Sequence, residues 1–171
     1  PLNSDVLNLV KKMGIRPEWK VLEVGSLWVN GSPREVVDCE DYTGIDFRAG
    51  KGVDVVMDAG ELSSRWERGT FDAVICCETL EHCKDWKLVL TQSWWVLKVG
   101  GVFCLTTPTR GKGRHNHPDD YWRWTLEQYG KMFSGQDVRK LQQVWAHGIG
   151  AIVVKVSEDL DLSVKPEEVP R

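Results

Sequence analysis

Phe71-Asp72-Ala73-Val74-Ile75-Cys76-Cys77 is the stretch on which the fold turns. After Asp72 it is apolar at every position, so it lacks the alternation of a half-exposed strand. It is short and bounded by polar residues, which favours a strand over a buried helix. A strand covered on both faces belongs to a parallel sheet flanked by helices. Glu78-Thr79-Leu80-Glu81-His82 follows at once and sets polar chemistry directly beyond the strand's carboxyl end.

The flanks repeat this scheme. Upstream, Val6, Leu9, Val10 and Met13 recur at helical spacing behind Ser4, and Gly14 stops the helix. Lys20–Val24 reads as a strand ending at Gly25. Ser32-Pro33-Arg34-Glu35 is a capping box with proline at the first helical position, which predicts a short helix. Tyr42–Asp46 and Val53–Met57 read as strands, and a brief helix runs through Trp66. Downstream, a helix spans Asp85 to Val96, with a stripe of Trp86, Val89, Leu90 and Trp94 that suits core packing better than a ligand surface. Val102–Thr106 is the next strand. Thr125-Leu126-Glu127-Gln128 caps another helix, and Val138–Ala146 with Ala151–Val156 form a closing antiparallel hairpin. The expected fold is a doubly wound, Rossmann-like α/β sheet of seven strands, with helices on both faces and that hairpin at its end. Residues 1–157 are expected to form one domain, and the polar segment 158–171, with its two prolines, to fray.

Composition narrows the function classes. A chain of 171 residues suits a single domain, which at this size buries roughly 70% of its unfolded surface. Lys plus Arg number 22 against 25 Asp plus Glu, for a net charge of −3, so the basic excess of a general nucleic-acid binder is missing. Ala73–Cys77 is the longest unbroken apolar run, far short of a membrane span. No charged-then-apolar leader opens the sequence. The five cysteines form no C-x-x-C pair, so zinc or thioredoxin-like chemistry is not indicated, and reduced thiols in a cytoplasmic protein are expected.

In such sheets ligands bind beyond the carboxyl ends of the strands, at the switch in strand order. Four segments lie there. Glu23-Val24-Gly25-Ser26 leads into Asn30-Gly31-Ser32, where a tight turn and a helix N-terminus present backbone N–H groups to an anion. The G-x-G-x-x-G spacing is absent, which weighs against a nicotinamide or flavin enzyme. Asp46 ends the next strand, about 20 residues beyond Gly25, where a carboxylate can take ribose hydroxyls. Phe47 and Arg48 follow it. Asp58-Ala59-Gly60 ends the third strand, and Cys77-Glu78 the fourth. Each segment alone is also what an ordinary turn looks like.

In order, and with Leu97-Lys98-Val99-Gly100-Gly101 ahead of the fifth strand, these segments resemble the class I S-adenosylmethionine-dependent methyltransferases. The resemblance runs in register from Val21 to Thr107 and extends to Val156. It implies S-adenosyl-L-methionine as cofactor, with Glu23, Gly25, Ser26, Asn30 and Gly31 as the first motif, although Gly25-Ser26 replaces the usual glycine-x-glycine. It implies Asp46, with Phe47 and Arg48, at the ribose and adenine, Asp58 and Ala59 at the adenine edge, and Cys77 and Glu78 beside the methionine end. The Asp/Asn-Pro-Pro-aromatic run of enzymes that methylate base amines is absent after the fourth strand.

The acceptor side falls to the long connection from Thr107 to Trp124, which carries His115, His117, Asp119, Asp120, Tyr121, Trp122 and Arg123. Three roles compete for it. His117 and Tyr121, with His82, suit acid–base catalysis. His115, His117, Asp119 and Asp120 offer metal ligands at an unspecific spacing, so no metal is assigned. A carboxylate paired with Arg123, while the aromatic rings pin the loop, is the structural role. The expectation is methyl transfer by in-line displacement to a small-molecule or glycan acceptor, with nucleic acid disfavoured and no membrane partner. A non-catalytic binding module acting through a partner, or a nucleotide-dependent oxidoreductase, are the alternatives.

Overall fold

The computed structural model describes residues 4–115 and 119–170. Helix α1 (Ser4–Lys11) precedes strand β1 (Lys20–Val24), a 3-10 turn at Pro33–Val36, β2 (Asp41–Asp46) and β3 (Val55–Val56). A 3-10 segment over Ala59–Ser64 leads to β4 (Phe71–Cys77), a short turn at Leu80–His82, α2 (Trp86–Val96) and β5 (Leu97–Pro108). Beyond these lie β6 (Trp122–Arg123), α3 (Leu126–Met132), β7 (Asp137–Trp145), β8 (Gly148–Val154) and β9 (Glu167–Glu168). Seven strands form one sheet in the order β3-β2-β1-β4-β5-β8-β7. The first five are mutually parallel, and β8 runs antiparallel to both β5 and β7. The strand order reverses between β1 and β4, which opens a crevice at their carboxyl ends.

The apolar run of β4 has a direct structural cause. Ala73, Ile75 and Cys77 face the α1 side, packed with Val6, Leu9, Val10 and Val21. Val74 and Cys76 face the α2 and α3 side, with Leu22, Leu90, Trp94 and Phe133. Neither side of the strand meets water. The tryptophan stripe of α2 is core as expected: Trp86 meets Trp124 edge-to-face at 5.9 Å, and Trp94 meets Phe103 at the same distance. Buried Lys155 closes the end of α2, its Nζ donating to the carbonyls of Trp94 (2.7 Å) and Leu97 (2.8 Å) and pairing with Glu158.

Two expectations change. The strand expected over 53–57 shortens to Val55–Val56, because exposed Asp54 turns its carboxylate to the neighbouring strand: it accepts from Gly44 N at 2.7 Å and pairs with Arg34. The segment expected to fray from residue 158 instead lies against the domain. Val164 is buried, Asp161 N donates to Met132 O, and β9 pairs antiparallel with β6. Both strands of that second sheet are two residues long, too short for any periodicity to announce. Among the described residues no helix is long and apolar enough to cross a membrane.

Candidate functional site

Beyond β1 the chain makes the tight turn that glycine permits. Gly25 has φ +77°, and a Cβ there would lie 2.1 Å from Thr79 Oγ1. Gly25 N and Ser26 N both donate to Ile45 O (2.9 and 2.8 Å), which ties this turn to the end of β2. These N–H groups are spent within the fold. So are those of the following turn. Ser32 N donates to Glu35, Arg34 N to Ser32 Oγ, and Pro33 has none to offer. The capping box forms as expected but satisfies the very donors that an anion would need, so the anion-binding expectation for this N-terminus is withdrawn.

Glu23 braces the same corner. Its buried carboxyl accepts from Tyr42 Oη at 2.7 Å and from Ser32 Oγ at 3.1 Å. Burial pushes it up to about 7, against the downward pull of those two hydroxyls. A carboxyl raised in the folded state binds its proton more tightly there than in the unfolded chain. The stability it gives is therefore complete below its unfolded value, near 4.5, and is lost as pH rises through about 7. Glu23→Gln should flatten the pH dependence of urea stability in that window, whose slope from one such group reaches about 1.4 kcal/mol per pH unit. An unchanged slope would remove Glu23 as its source.

The walls come from the other strand ends. Asp46 closes β2, with one oxygen accepting from Arg48 N at 3.0 Å. Beside it the Phe47 ring is 56% exposed, a large apolar surface left uncovered at the mouth of a crevice. Asp58 caps the 3-10 segment through Gly60 N at 2.7 Å. Glu78, after β4, sits at φ +50°, a left-handed conformation rare for a residue with a Cβ and typical of constrained sites. Its carboxyl accepts from Thr106 Oγ1 at 2.9 Å, and burial pushes it up to about 7. Burial also drives the Cys77 thiol well up, after the larger effect of its hydrogen bond with Cys104, so this sulfur is no nucleophile at neutral pH.

These ends enclose one cleft of ≈ 860 Å³. Glu23, Gly25, Asn30, Gly31, Asp46, Phe47, Arg48, Asp58, Ala59, Cys77, Glu78 and His82 all line it. Two expected residues do not. Ser26 turns its buried side chain toward Gly44, where an added Cβ would come within 2.6 Å of Ser26 Oγ. Tyr121 pins the loop instead: its hydroxyl donates to Asp119, its N–H to Glu81 O, and its carbonyl accepts from Val169 N. His117 lies outside the described residues. The sequence reading gave no role to Leu27, Val29, Met57 and Leu88, which supply apolar lining; Lys112 and Asp119 join them from the long loop.

That loop takes its shape from a buried ion pair. Asp120 and Arg123 meet through two contacts of 2.5 and 2.6 Å, and Arg123 also donates to the carbonyls of Lys112, Gly113 and Trp122. Trp122 Nε1 donates to Cys83 O at 2.9 Å. Together these bonds bring His115 and Asp119 over the cleft, opposite His82.

Residues 23–105 match the model of a methyltransferase domain, in register with the strand ends that build the cleft. That match spans just under half of the chain. Solved structures of this family's fold agree at low identity. A Burkholderia thailandensis 1,6-didemethyltoxoflavin-N1-methyltransferase with bound S-adenosylhomocysteine superposes with TM-score 0.71 at 14% identity, covering 89% of this chain and 77% of that one. A SAM-dependent methyltransferase from Aquifex aeolicus gives 0.62 at 15%, covering 87% and 88%. The cyclase SpnF gives 0.62 at 18%, covering 84% of this chain and 62% of its own. No curated protein matches the sequence. The methyltransferase family takes its methyl group from S-adenosylmethionine.

Proposed function

We propose that this methyltransferase domain carries a methyl group from S-adenosylmethionine to a small-molecule or glycan acceptor by in-line displacement. One observation carries the reading: the carboxyl ends of β1, β2, β3 and β4 converge on one cleft, with Asp46 on its wall beside the uncovered Phe47 ring. A volume of ≈ 860 Å³ is within the usual range for a ligand of nucleoside-conjugate size. The carboxylate of Asp46 takes the ribose hydroxyls, Phe47 covers the adenine face, and Asp58 with Ala59 reads the adenine edge. Gly25, Asn30, Gly31, Cys77 and Glu78 surround the amino-acid end.

When bound, the sulfonium supplies an already electrophilic methyl group. The protein's work is to hold the acceptor in line behind it and to exclude water. Leu27, Val29, Met57 and Leu88 keep that space apolar. His82 lines the cleft with His115 and Asp119, on the side where the acceptor enters.

Isothermal titration with S-adenosylhomocysteine tests the donor site, and absence of binding to demonstrably folded protein refutes it. Asp46→Ala should weaken that binding by about 1.5–3 kcal/mol, the worth of hydrogen bonds to a charged group. An unchanged Kd would move the ribose elsewhere. The fold also serves a protein named as a cyclase, so transfer has its own test: production of S-adenosylhomocysteine with a pool of hydroxylated small molecules and glycans. Cofactor binding without turnover, together with a stable partner in pull-down, would favour the binding-module reading.

A further inference from the structure

Behind the acceptor wall of the cleft, Glu81 is fully buried. Neither of its carboxylate oxygens accepts a hydrogen bond among the described residues. Buried carboxylates are ordinarily paired or bonded, so an orphan of this kind requires a cause. His82 Nε2 stands 3.7 Å from Glu81 Oε1. The other nitrogen of that ring, Nδ1, faces the carbonyl oxygen of Asp119. A carbonyl only accepts, so the ring proton sits on Nδ1 and Nε2 presents a lone pair. Two acceptors thus confront each other in a water-poor pocket, and something positive belongs between them.

His115 completes the group. Its ring packs edge-to-face on His82 with centroids 5.0 Å apart, and ligand atoms of Glu81, His82 and His115 all lie within 4.8 Å of one another. We propose that Glu81, His82 and His115 bind one divalent transition-metal ion, whose remaining coordination positions open into the cleft.

Four observations support this assignment independently of the donor site. Two imidazoles with one carboxylate form the ligand set of open, catalytic metal sites. Two ligands held about 2.1 Å from one tetrahedral ion stand about 3.4 Å apart, close to the 3.7 Å between His82 and Glu81. A ligating histidine usually donates its other N–H to a carbonyl or carboxylate, as His82 does to Asp119. For His115 a carboxylate stands within reach, its Nδ1 lying 3.1 Å from Asp120 Oδ2 without a formed hydrogen bond. In the other direction, burial first and the Glu78 charge second push the Glu81 carboxyl well up, so a cation that keeps it ionised must compete with a proton. Only Glu81 stands back from the cleft; His82 and His115 line it. An acceptor oxygen entering there would replace a metal-bound water and lose its proton more readily. This last consequence rests on the methyltransferase reading, whereas the metal site itself does not.

The test strips the protein with a chelator and titrates it with Co²⁺, followed by Zn²⁺ and Mn²⁺ by calorimetry, while visible absorption reports on the cobalt. One ion per chain is expected. Glu81→Gln and His115→Ala should each weaken uptake by about tenfold or more, since even supporting residues around a metal carry effects of that size. His115 lies on a half-buried loop position, so its variant remains informative if Glu81→Gln fails to fold. S-adenosylhomocysteine is titrated in parallel. Folded wild type that binds it but takes up none of the three ions overturns the metal site, leaving a protonated Glu81 as the occupant of the gap. Uptake unchanged in both variants places the ion elsewhere and also overturns it. Metal uptake without S-adenosylhomocysteine binding refutes the donor reading and leaves the metal site standing.

Discussion

Replacing Arg123 by methionine lowers the free energy of unfolding by about 3–5 kcal/mol. The two side chains of the Asp120–Arg123 pair are almost wholly out of water, at 3% exposure for Arg123 and none for Asp120. Removing the guanidinium leaves the Asp120 carboxylate to His115, through its N–H and ring. It also strands the carbonyls of Lys112, Gly113 and Trp122, which Arg123 now satisfies. Most of the cost is that of an uncompensated buried charge. The double variant Asp120→Leu with Arg123→Met should therefore recover most of the loss, because an apolar pair of similar volume often replaces a buried ion pair without penalty. Urea midpoints measure both. A single-variant loss under about 1 kcal/mol would show that the pair does not hold the loop.

The second large effect belongs to Gly25. An alanine there must adopt φ +77°, and its methyl would overlap the Thr79 side chain. The backbone strain costs about 1–3 kcal/mol, and relieving the overlap by shifting neighbours adds about 1–3 more. Thr79 Oγ1 donates to Val24 O and Cys77 O, so moving it disturbs the ends of β1 and β4 together. Affinity for S-adenosylhomocysteine should fall below detection in any Gly25→Ala protein that still folds. Near-native binding in that variant would place the ligand away from this turn. Thr79→Ala alone should be mild by comparison, since it leaves the turn its room.

What the sequence discloses and what it hides divide along the range of the interactions. The β4 run, both capping boxes and the glycine-ended β1 are local patterns, readable because each is decided within a few residues. The cleft was legible for a related reason: in a parallel sheet, strand ends converge wherever the order reverses, so residues just past each strand become neighbours without further information. The side chain of Ser26 was misjudged because its direction depends on Gly44, which sits on another strand. Between the catalytic and the loop-pinning role of Tyr121 the sequence leaves the choice open, because its partners, Glu81 and Val169, lie far along the chain in opposite directions. The β6–β9 pair and, among the described residues, the unbonded carboxylate of Glu81 are likewise long-range facts. A glutamate just after a strand looks solvent-facing in sequence, and only the closing loop reveals how dry its pocket is.

The pairing of β6 with β9 has a temporal consequence. During synthesis the sheet acquires all seven of its strands once Val154 has emerged, and the turns that line the cleft from β1 to β4 are then complete. Glu167, Glu168 and Val169, which clasp Tyr121, Trp122 and Arg123, emerge after it. A nascent chain held on the ribosome just short of them owns a finished sheet and an unlatched loop over its cleft.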